Sequence, residues 1–187
     1  MAIKVFIDQG HNPESPNAGA EGNGYREQDL VYTIGVRLAA LFNANPDYEA
    51  RLSREDPDTI LGSSNAESLR LRVEAANAWG ADCLLSLHAN ASVDSSASGC
   101  ECLVFARGGA AYALAEDIVR ELAAATGLRN RGVQIRPGLY VLRRSAMPAT
   151  IVEMGFISNA SDAALMAQNP GLFATGIYRG VLDYFGG

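Results

Sequence analysis

Short apolar runs alternate along the chain with longer stretches in which apolar residues recur every three or four positions. The short runs are rich in Val, Ile, Leu and Phe, which is typical of strands buried in a sheet. The continuous run at residues 150–152 indicates a central strand that is covered on both faces. Six strands are predicted, at residues 2–8, 48–53, 82–88, 100–105, 139–142 and 149–154.

The longer stretches predict amphipathic helices between these strands. In the first, at residues 27–43, Leu30, Ile34 and Leu38 recur at helical spacing. Because strands that alternate with helices favour an α/β fold, we predict a sheet with helices on both faces. Four further helices are expected, at residues 64–79, 109–126, 161–168 and 171–184.

The composition is that of one globular domain. Of the 187 residues, 48% are hydrophobic and 19% are charged, which is an ordinary balance for a folded chain. No segment rich in Pro, Gly or Ser and no internal repeat divides the sequence, so we predict a single domain over residues 1–187. The net charge of −6 disfavours binding to nucleic acid by bulk electrostatics.

Neither the cysteines nor the N-terminus indicates an exported protein. Three cysteines do not make a disulfide framework, so we expect Cys83, Cys100 and Cys102 to be buried thiols. The first ten residues read as a core strand rather than a secretory signal, and we expect synthesis in the cytoplasm. No apolar run reaches the length of a membrane span, so no membrane insertion is expected.

Two histidines, His11 and His88, each stand where a predicted strand ends. In an open α/β sheet, ligands bind in the crevice beyond the carboxyl ends of the strands, so the two imidazoles could hold a metal there. Glu27, at the start of the first predicted helix, can supply a third ligand, and two histidines with one glutamate are a standard set for catalytic zinc. Taken singly, each residue also fits a structural role, Glu27 as a carboxylate at a helix N-terminus.

Glu153 stands at the end of the run predicted to form a buried central strand. A carboxylate is costly to bury there unless it is paired or catalytic. A salt bridge to Arg54 or Arg143 is the structural alternative. Its position at a strand end favours a functional role.

Seven segments then follow one another in a characteristic order, and through them the chain is similar to a known family over essentially its whole length. These segments are Val5–His11, Gly24–Leu30, Leu52–Arg54, Arg72–Asn77, Ala81–Asn90, Gly99–Glu101 and Val152–Asn159. The chain resembles the zinc-dependent N-acetylmuramoyl-L-alanine amidases of the amidase-3 type. It departs from them at Gln9 and Asn12, where the family usually has Pro and Gly.

The resemblance implies a fold, a metal site and an activity. The fold is a six-stranded, mostly parallel mixed sheet flanked by helices. His11, Glu27 and His88 look like the ligands of one Zn²⁺ ion per chain, and Glu153 looks like the catalytic glutamate. The implied reaction is cleavage, by zinc-activated water, of the amide between N-acetylmuramic acid and L-alanine of the peptidoglycan stem. Residues 89–100 are too short for the helical insertion that covers the site in some relatives, so we expect an open site.

Four more residues are candidates for contacts with the peptidoglycan substrate. Glu101 points opposite to Cys100 and Cys102 in a strand pattern and could face the site. The adjacent Arg143 and Arg144 could meet carboxylates of the stem peptide, although neighbouring arginines are also commonly solvated. Asn90, in the segment that carries His88, is the remaining candidate.

Two alternatives of different class stay open. One is a non-catalytic wall-binding module that kept the fold, and the other is a zinc carboxypeptidase acting on the stem peptide. No segment resembles a wall-binding repeat, and we expect a monomer. The lack of a secretory signal fits an endolysin or autolysin that reaches the cell wall after lysis or through a holin.

Overall fold

A six-stranded sheet forms the centre of the computed structural model, which describes residues 1–186. Across the sheet the strands follow the order β4-β1-β5-β8-β6-β7, and β2 and β3 form a separate two-stranded ribbon. Strand β6 runs antiparallel to β8, whereas the other neighbouring pairs of the sheet are parallel. The strands are β1 (Ile3–Gln9), β2 (Glu21–Gly22), β3 (Tyr25–Arg26), β4 (Tyr48–Leu52), β5 (Cys83–Asn90), β6 (Cys100–Val104), β7 (Asn130–Ile135) and β8 (Ala149–Phe156).

Helices cover both faces of this sheet, so the predicted α/β architecture is confirmed. They are α1 (Glu27–Asn43), α2 (Asn65–Trp79), α3 (Gly109–Thr126), α4 (Tyr140–Arg144), α5 (Ala160–Gln168) and α6 (Pro170–Gly186). One hydrophobic cluster joins α1, α3, α5 and α6 to one face, and a second joins α2 and α4 to the other. No helix within residues 1–186 is both long enough and apolar enough to cross a lipid bilayer.

Alternation along β5 shows how the two faces differ. Cys83, Leu85 and Leu87 point into the larger cluster, as expected for every second residue of a strand. Leu84 points into the smaller cluster, on the face that α2 and α4 cover. His88 has the same parity as Leu84, so it lies on that second face, beyond the part the helices cover.

The three cysteines are free and buried, as the sequence predicts. Burial raises the pKa of all three thiols, that of Cys100 to about 12. Because the thiolate is the reactive form, these groups stay inert at neutral pH and pack as small apolar side chains.

One predicted strand is wrong. Residues 139–142 do not pair with the sheet, because helix α4 begins at Tyr140, and its buried Val141 and Leu142 pack into the smaller cluster. The sixth strand is instead β7, a polar segment that was not predicted. A short apolar run does not distinguish a strand from a helical turn. A strand at the sheet edge needs few apolar residues, so its signal in the sequence is weak.

Candidate metal centre

His11, Glu27 and His88 meet at the carboxyl ends of β1 and β5. Each offers one ligand atom, and these atoms all lie within 4.8 Å of one another. Glu27 Oε1 lies 3.1 Å from His11 Nε2 and 3.1 Å from His88 Nδ1. The structure therefore brings together the three residues that the sequence analysis selected for a metal site.

The backbone after β1 passes very close to the His88 side chain. The amide of Gly10 donates to the carbonyl of Leu87 on the neighbouring strand, 3.1 Å away. A Cβ atom at Gly10 would lie 2.5 Å from Cε1 of His88, so only glycine lets the chain pass this imidazole. The following residue, His11, has a φ of 67°, which turns the chain sharply after β1.

Backbone amides hold Glu27 at the centre of the cluster. Its Oε1 accepts from the amide of Ala89 at 3.0 Å, and its Oε2 accepts from the amide of Ala20 at 3.0 Å. Burial opposes ionisation of Glu27, but hydrogen bonds from His11 and His88 outweigh it, and the pKa of this carboxyl is lowered. The carboxylate therefore stays charged at the point where both imidazoles meet.

The electrostatics of His88 favour a cation at this point. Burial alone would lower the pKa of His88, but the hydrogen bond to Glu27 and the negative charge of Glu153 raise it. A divalent metal can take the place of the protons that such imidazoles bind. Nδ1 of His11 is buried with no hydrogen-bond partner within residues 1–186.

Arg72 supports the loop that carries His11, and sequence reasoning did not single it out as functional. Its guanidinium is buried and lies 2.6 Å from Asp8 Oδ1. It also donates to the carbonyl of His11 at 2.6 Å and to Oδ1 of Asn12 at 3.0 Å. The signal in the sequence is an arginine on the apolar side of α2, next to the buried Val73. Such a position is rare for a charge unless the charge is paired.

Glu153 lies on β8 beside the cluster. It is the register partner of His88 on β5 and of Glu101 on β6, so the three side chains share one face of the sheet. Its Oε2 is buried and has no hydrogen-bond partner in the described part of the chain. Burial raises the pKa of Glu153 to about 7; His88 opposes the rise, and the charges of Glu27 and Glu101 add to it.

The alternative salt bridges of Glu153 do not form. Arg54 is buried and donates instead to the carbonyls of Pro57 and Gln28, at 3.1 Å each. Arg143 is exposed on α4, at the other end of β8. Within residues 1–186, Glu153 has no ion pair with an arginine or lysine, so its burial has no structural compensation of that kind.

Two of the expected substrate contacts lie next to Glu153, and two do not. Nδ2 of Asn90 donates to Oε1 of Glu101 at 3.1 Å, so both residues line the same edge of the sheet. Arg143 and Arg144 lie on α4, which precedes the start of β8 at Ala149. That start is the far end of the strand from Glu153, so the structure does not bring these arginines to the cluster.

The fold and the cluster together define a class of protein. The chain is an open α/β domain with a candidate metal centre at the carboxyl edge of its sheet, where ligands of such folds bind. Residues 5–183 match the family model described as N-acetylmuramoyl-L-alanine amidase. The chain belongs to this family.

Comparisons with individual proteins agree with this assignment. The chain is 38% identical over 185 residues to N-acetylmuramoyl-L-alanine amidase LytC of Bacillus subtilis, covering 97% of this chain and 35% of that protein. A crystal structure of an N-acetylmuramoyl-L-alanine amidase from Clostridium difficile 630 matches with a TM-score of 0.88, at 30% identity over 99% of this chain and 97% of that one. The amidase AmiC2 of Nostoc punctiforme matches with a TM-score of 0.87, at 31% identity over 99% and 98%. The chain thus spans about a third of the length of LytC but nearly all of the two solved chains.

Proposed function

We propose that this chain is a zinc-dependent N-acetylmuramoyl-L-alanine amidase. Its substrate is peptidoglycan, and it hydrolyses the amide between the lactyl group of N-acetylmuramic acid and the L-alanine of the stem peptide. The observation that carries the proposal is the buried Oε2 of Glu153, beside a cluster of two histidines and a glutamate. This oxygen has no hydrogen-bond partner among residues 1–186. A non-catalytic relative has no need to keep an uncompensated carboxyl at that place.

The donor set fits zinc. His11, Glu27 and His88 would hold one Zn²⁺ ion, since two imidazoles and a carboxylate are a standard ligand set for catalytic zinc. A bound zinc ion supplies Lewis acidity towards water and towards an amide carbonyl. The amides of Ala20 and Ala89 fix the orientation of Glu27 for this role.

Glu153 is the general base in this proposal. Its register with His88 sets its carboxyl beside the candidate metal ligands. Oε2 makes no hydrogen bond with the described part of the chain, so it can accept a proton from the attacking water. The same oxygen then delivers this proton to the leaving nitrogen of L-alanine. A pKa raised by burial makes the carboxyl a better proton acceptor than an exposed glutamate.

A metal analysis tests the ligand set. His88→Ala should lose most of the zinc that the purified wild-type protein binds, because one of three ligands is removed. Asp94→Ala, which removes an exposed carboxylate from the loop after β5, should keep it. A chelator should abolish activity, and added zinc should restore it. Full zinc content in His88→Ala would remove this residue from the ligand set.

A second experiment tests the base. Glu153→Gln preserves shape and hydrogen bonding but cannot accept the proton, so activity on purified sacculi should fall roughly 100-fold or more. Zinc content and thermal stability should stay near those of the wild type. Loss of zinc together with activity would place Glu153 among the ligands, and unchanged activity would remove it from the reaction.

The products separate this amidase from a carboxypeptidase of the same fold. Mass spectrometry of digested sacculi should show whole stem peptides with a free L-alanine amino group. Release of single amino acids from the stem would favour the carboxypeptidase. We also propose that the chain acts on the cell wall, which it reaches after cell lysis or through a holin.

A further inference from the structure

A row of four ionisable side chains crosses the sheet from the candidate metal centre to its edge. His88 on β5 pairs in register with Glu153 on β8, and Glu153 pairs with Glu101 on β6. On the next strand, β7, Nε of Arg131 donates to Oε2 of Glu101 at 3.2 Å. The row therefore ends in Arg131, a cation on the outermost strand that the sequence analysis did not identify.

An irregularity in β7 sets Arg131 on the correct face. Cys100 pairs with Asn130, but Cys102 pairs with Val133, so β7 has one more residue than β6 over this interval. In a regular strand Arg131 and Val133, two residues apart, would share a face, because side chains alternate along a strand. Gly132, with a φ of 78°, provides the bulge. Bulges of this kind redirect side chains beside functional sites.

The environment of Arg131 leaves part of its guanidinium free. Its Nη1 donates weakly to the carbonyl of Ser98 at 3.4 Å, and the group lies 5.1 Å from the ring centre of Phe156. Within residues 1–186, Nη2 has no hydrogen-bond partner, and the side chain is 33% exposed. Glu101 holds the guanidinium on its own side and away from Glu153. The cation is thus held by Glu101, and its Nη2 stays available to a ligand.

The spacing of the strands relates Arg131 to the scissile bond. Neighbouring strands lie about 4.8 Å apart, so the backbone at Arg131 is about 10 Å from the backbone at Glu153 across two strand spacings. An extended peptide advances about 3.5 Å per residue, so about three residues span this gap. A stem peptide whose first amide lies at Glu153 would bring its third residue to Arg131.

We propose that Arg131 is a specificity-determining residue that binds a carboxylate of the stem peptide, about three residues from the scissile amide. The inference rests on the proposed amidase function. Arginine suits this role because its planar guanidinium donates in a fork that matches a carboxylate. A carboxamide at the same place should bind less well. Its oxygen is a neutral acceptor, and its N–H groups face the guanidinium, which has no acceptor for them.

Two synthetic substrates test the proposal. Both are N-acetylmuramoyl tripeptides, one ending in a free carboxylate and the other in a carboxamide. For Arg131→Gln, KM for the carboxylate substrate should rise about 10-fold, the scale of one partly exposed charged hydrogen bond, with little change in kcat. KM for the carboxamide substrate should change less than twofold. Arg131→Lys should fall between wild type and Arg131→Gln on the carboxylate substrate.

Arg129→Gln is the matched control, because Arg129 is an exposed arginine two residues earlier, and its kinetics should equal those of the wild type. If Arg131 serves only to brace Glu101, Arg131→Gln will raise KM for both substrates equally, and the proposal is wrong.

Direct titration of the zinc-loaded protein with both tripeptides distinguishes this failure from that of the amidase function. Suppose that the wild type cleaves neither tripeptide but binds the carboxylate form at least several-fold more tightly, and that Arg131→Gln loses this preference. That result would refute the amidase function and retain the carboxylate site. Equal binding of the two forms would refute the carboxylate site.

Discussion

Arg72→Met should destabilise the protein strongly, because it removes the cation from a buried ion pair. Arg72 and Asp8 are each 1% exposed, and Nη1 lies 2.6 Å from Oδ1. Methionine fills similar space but leaves the Asp8 carboxylate, among the described residues, with only Ser86 as a side-chain donor. Removal of one partner from such a pair costs about 3–5 kcal/mol of the free energy of unfolding. The carbonyl of His11 also loses a donor, so zinc affinity should fall as well.

The pH dependence of this loss follows from the pKa of Asp8. Burial raises that pKa, but the charge of Arg72 and the hydrogen bond from Ser86 outweigh burial, so the pKa is lowered in the folded wild type. The pair therefore stabilises the wild type above the unfolded pKa of about 3.9, and this contribution is lost as the pH falls through the lower folded value. In Arg72→Met, burial dominates and the folded pKa rises above the unfolded one. The difference in stability between the two proteins should thus be larger at pH 7 than at pH 4.

Urea denaturation at both pH values, on metal-free protein, measures the effect. Arg70→Met is the control, because Arg70 lies on the same helix in an exposed pair with Glu74, and it should cost less than about 1 kcal/mol. A loss below about 1 kcal/mol for Arg72→Met at pH 7, or a loss that does not shrink at pH 4, would refute this account of the buried pair.

Three further changes have defined outcomes. Gly10→Ala would force a Cβ to within 2.5 Å of the His88 ring, so zinc content should fall, as measured by metal analysis. Ser64→Ala removes the N-cap of α2 and should cost about 1 kcal/mol in urea denaturation; no loss would show that this cap is not stabilising. Asp162→Ala leaves the buried amides of Gly99 and Phe156 without their acceptor, and the expected loss is about 2–6 kcal/mol. A urea denaturation midpoint of Asp162→Ala equal to that of the wild type would contradict this estimate.

The parts of the fold with strong periodicity were predictable from the sequence. Helix α1 was predicted at its observed bounds of Glu27–Asn43, because its apolar residues recur at helical spacing over several turns. Strand β7 was missed because an edge strand contacts the sheet on one side only and keeps polar residues. The pair Val141–Leu142 was assigned to a strand because two apolar residues fit a strand and a helical turn equally well.

The candidate site was predictable where it depends on residue type and strand ends. His11 and His88 are rare residues that follow apolar runs, and rarity at such positions is visible in one sequence. Arg72 was not recognised because its role depends on contacts with the loop after β1, which lies some 60 residues away in the chain. No local pattern reports which distant carbonyl a buried arginine will reach.

The reversal of strand direction explains why Arg131 in particular escaped the sequence analysis. A search for chemistry at strand carboxyl ends finds His11, His88 and Glu153, because β1, β5 and β8 run the same way. Strand β6 runs antiparallel to β8, and β7 runs parallel to β6. The first residues of β6 and β7 therefore lie at the edge where β1, β5 and β8 end. Glu101 and Arg131 each stand second in their strands and still reach the site. The edge of a mixed sheet thus draws on strand ends from one half and strand starts from the other, and only the topology shows which strands are reversed.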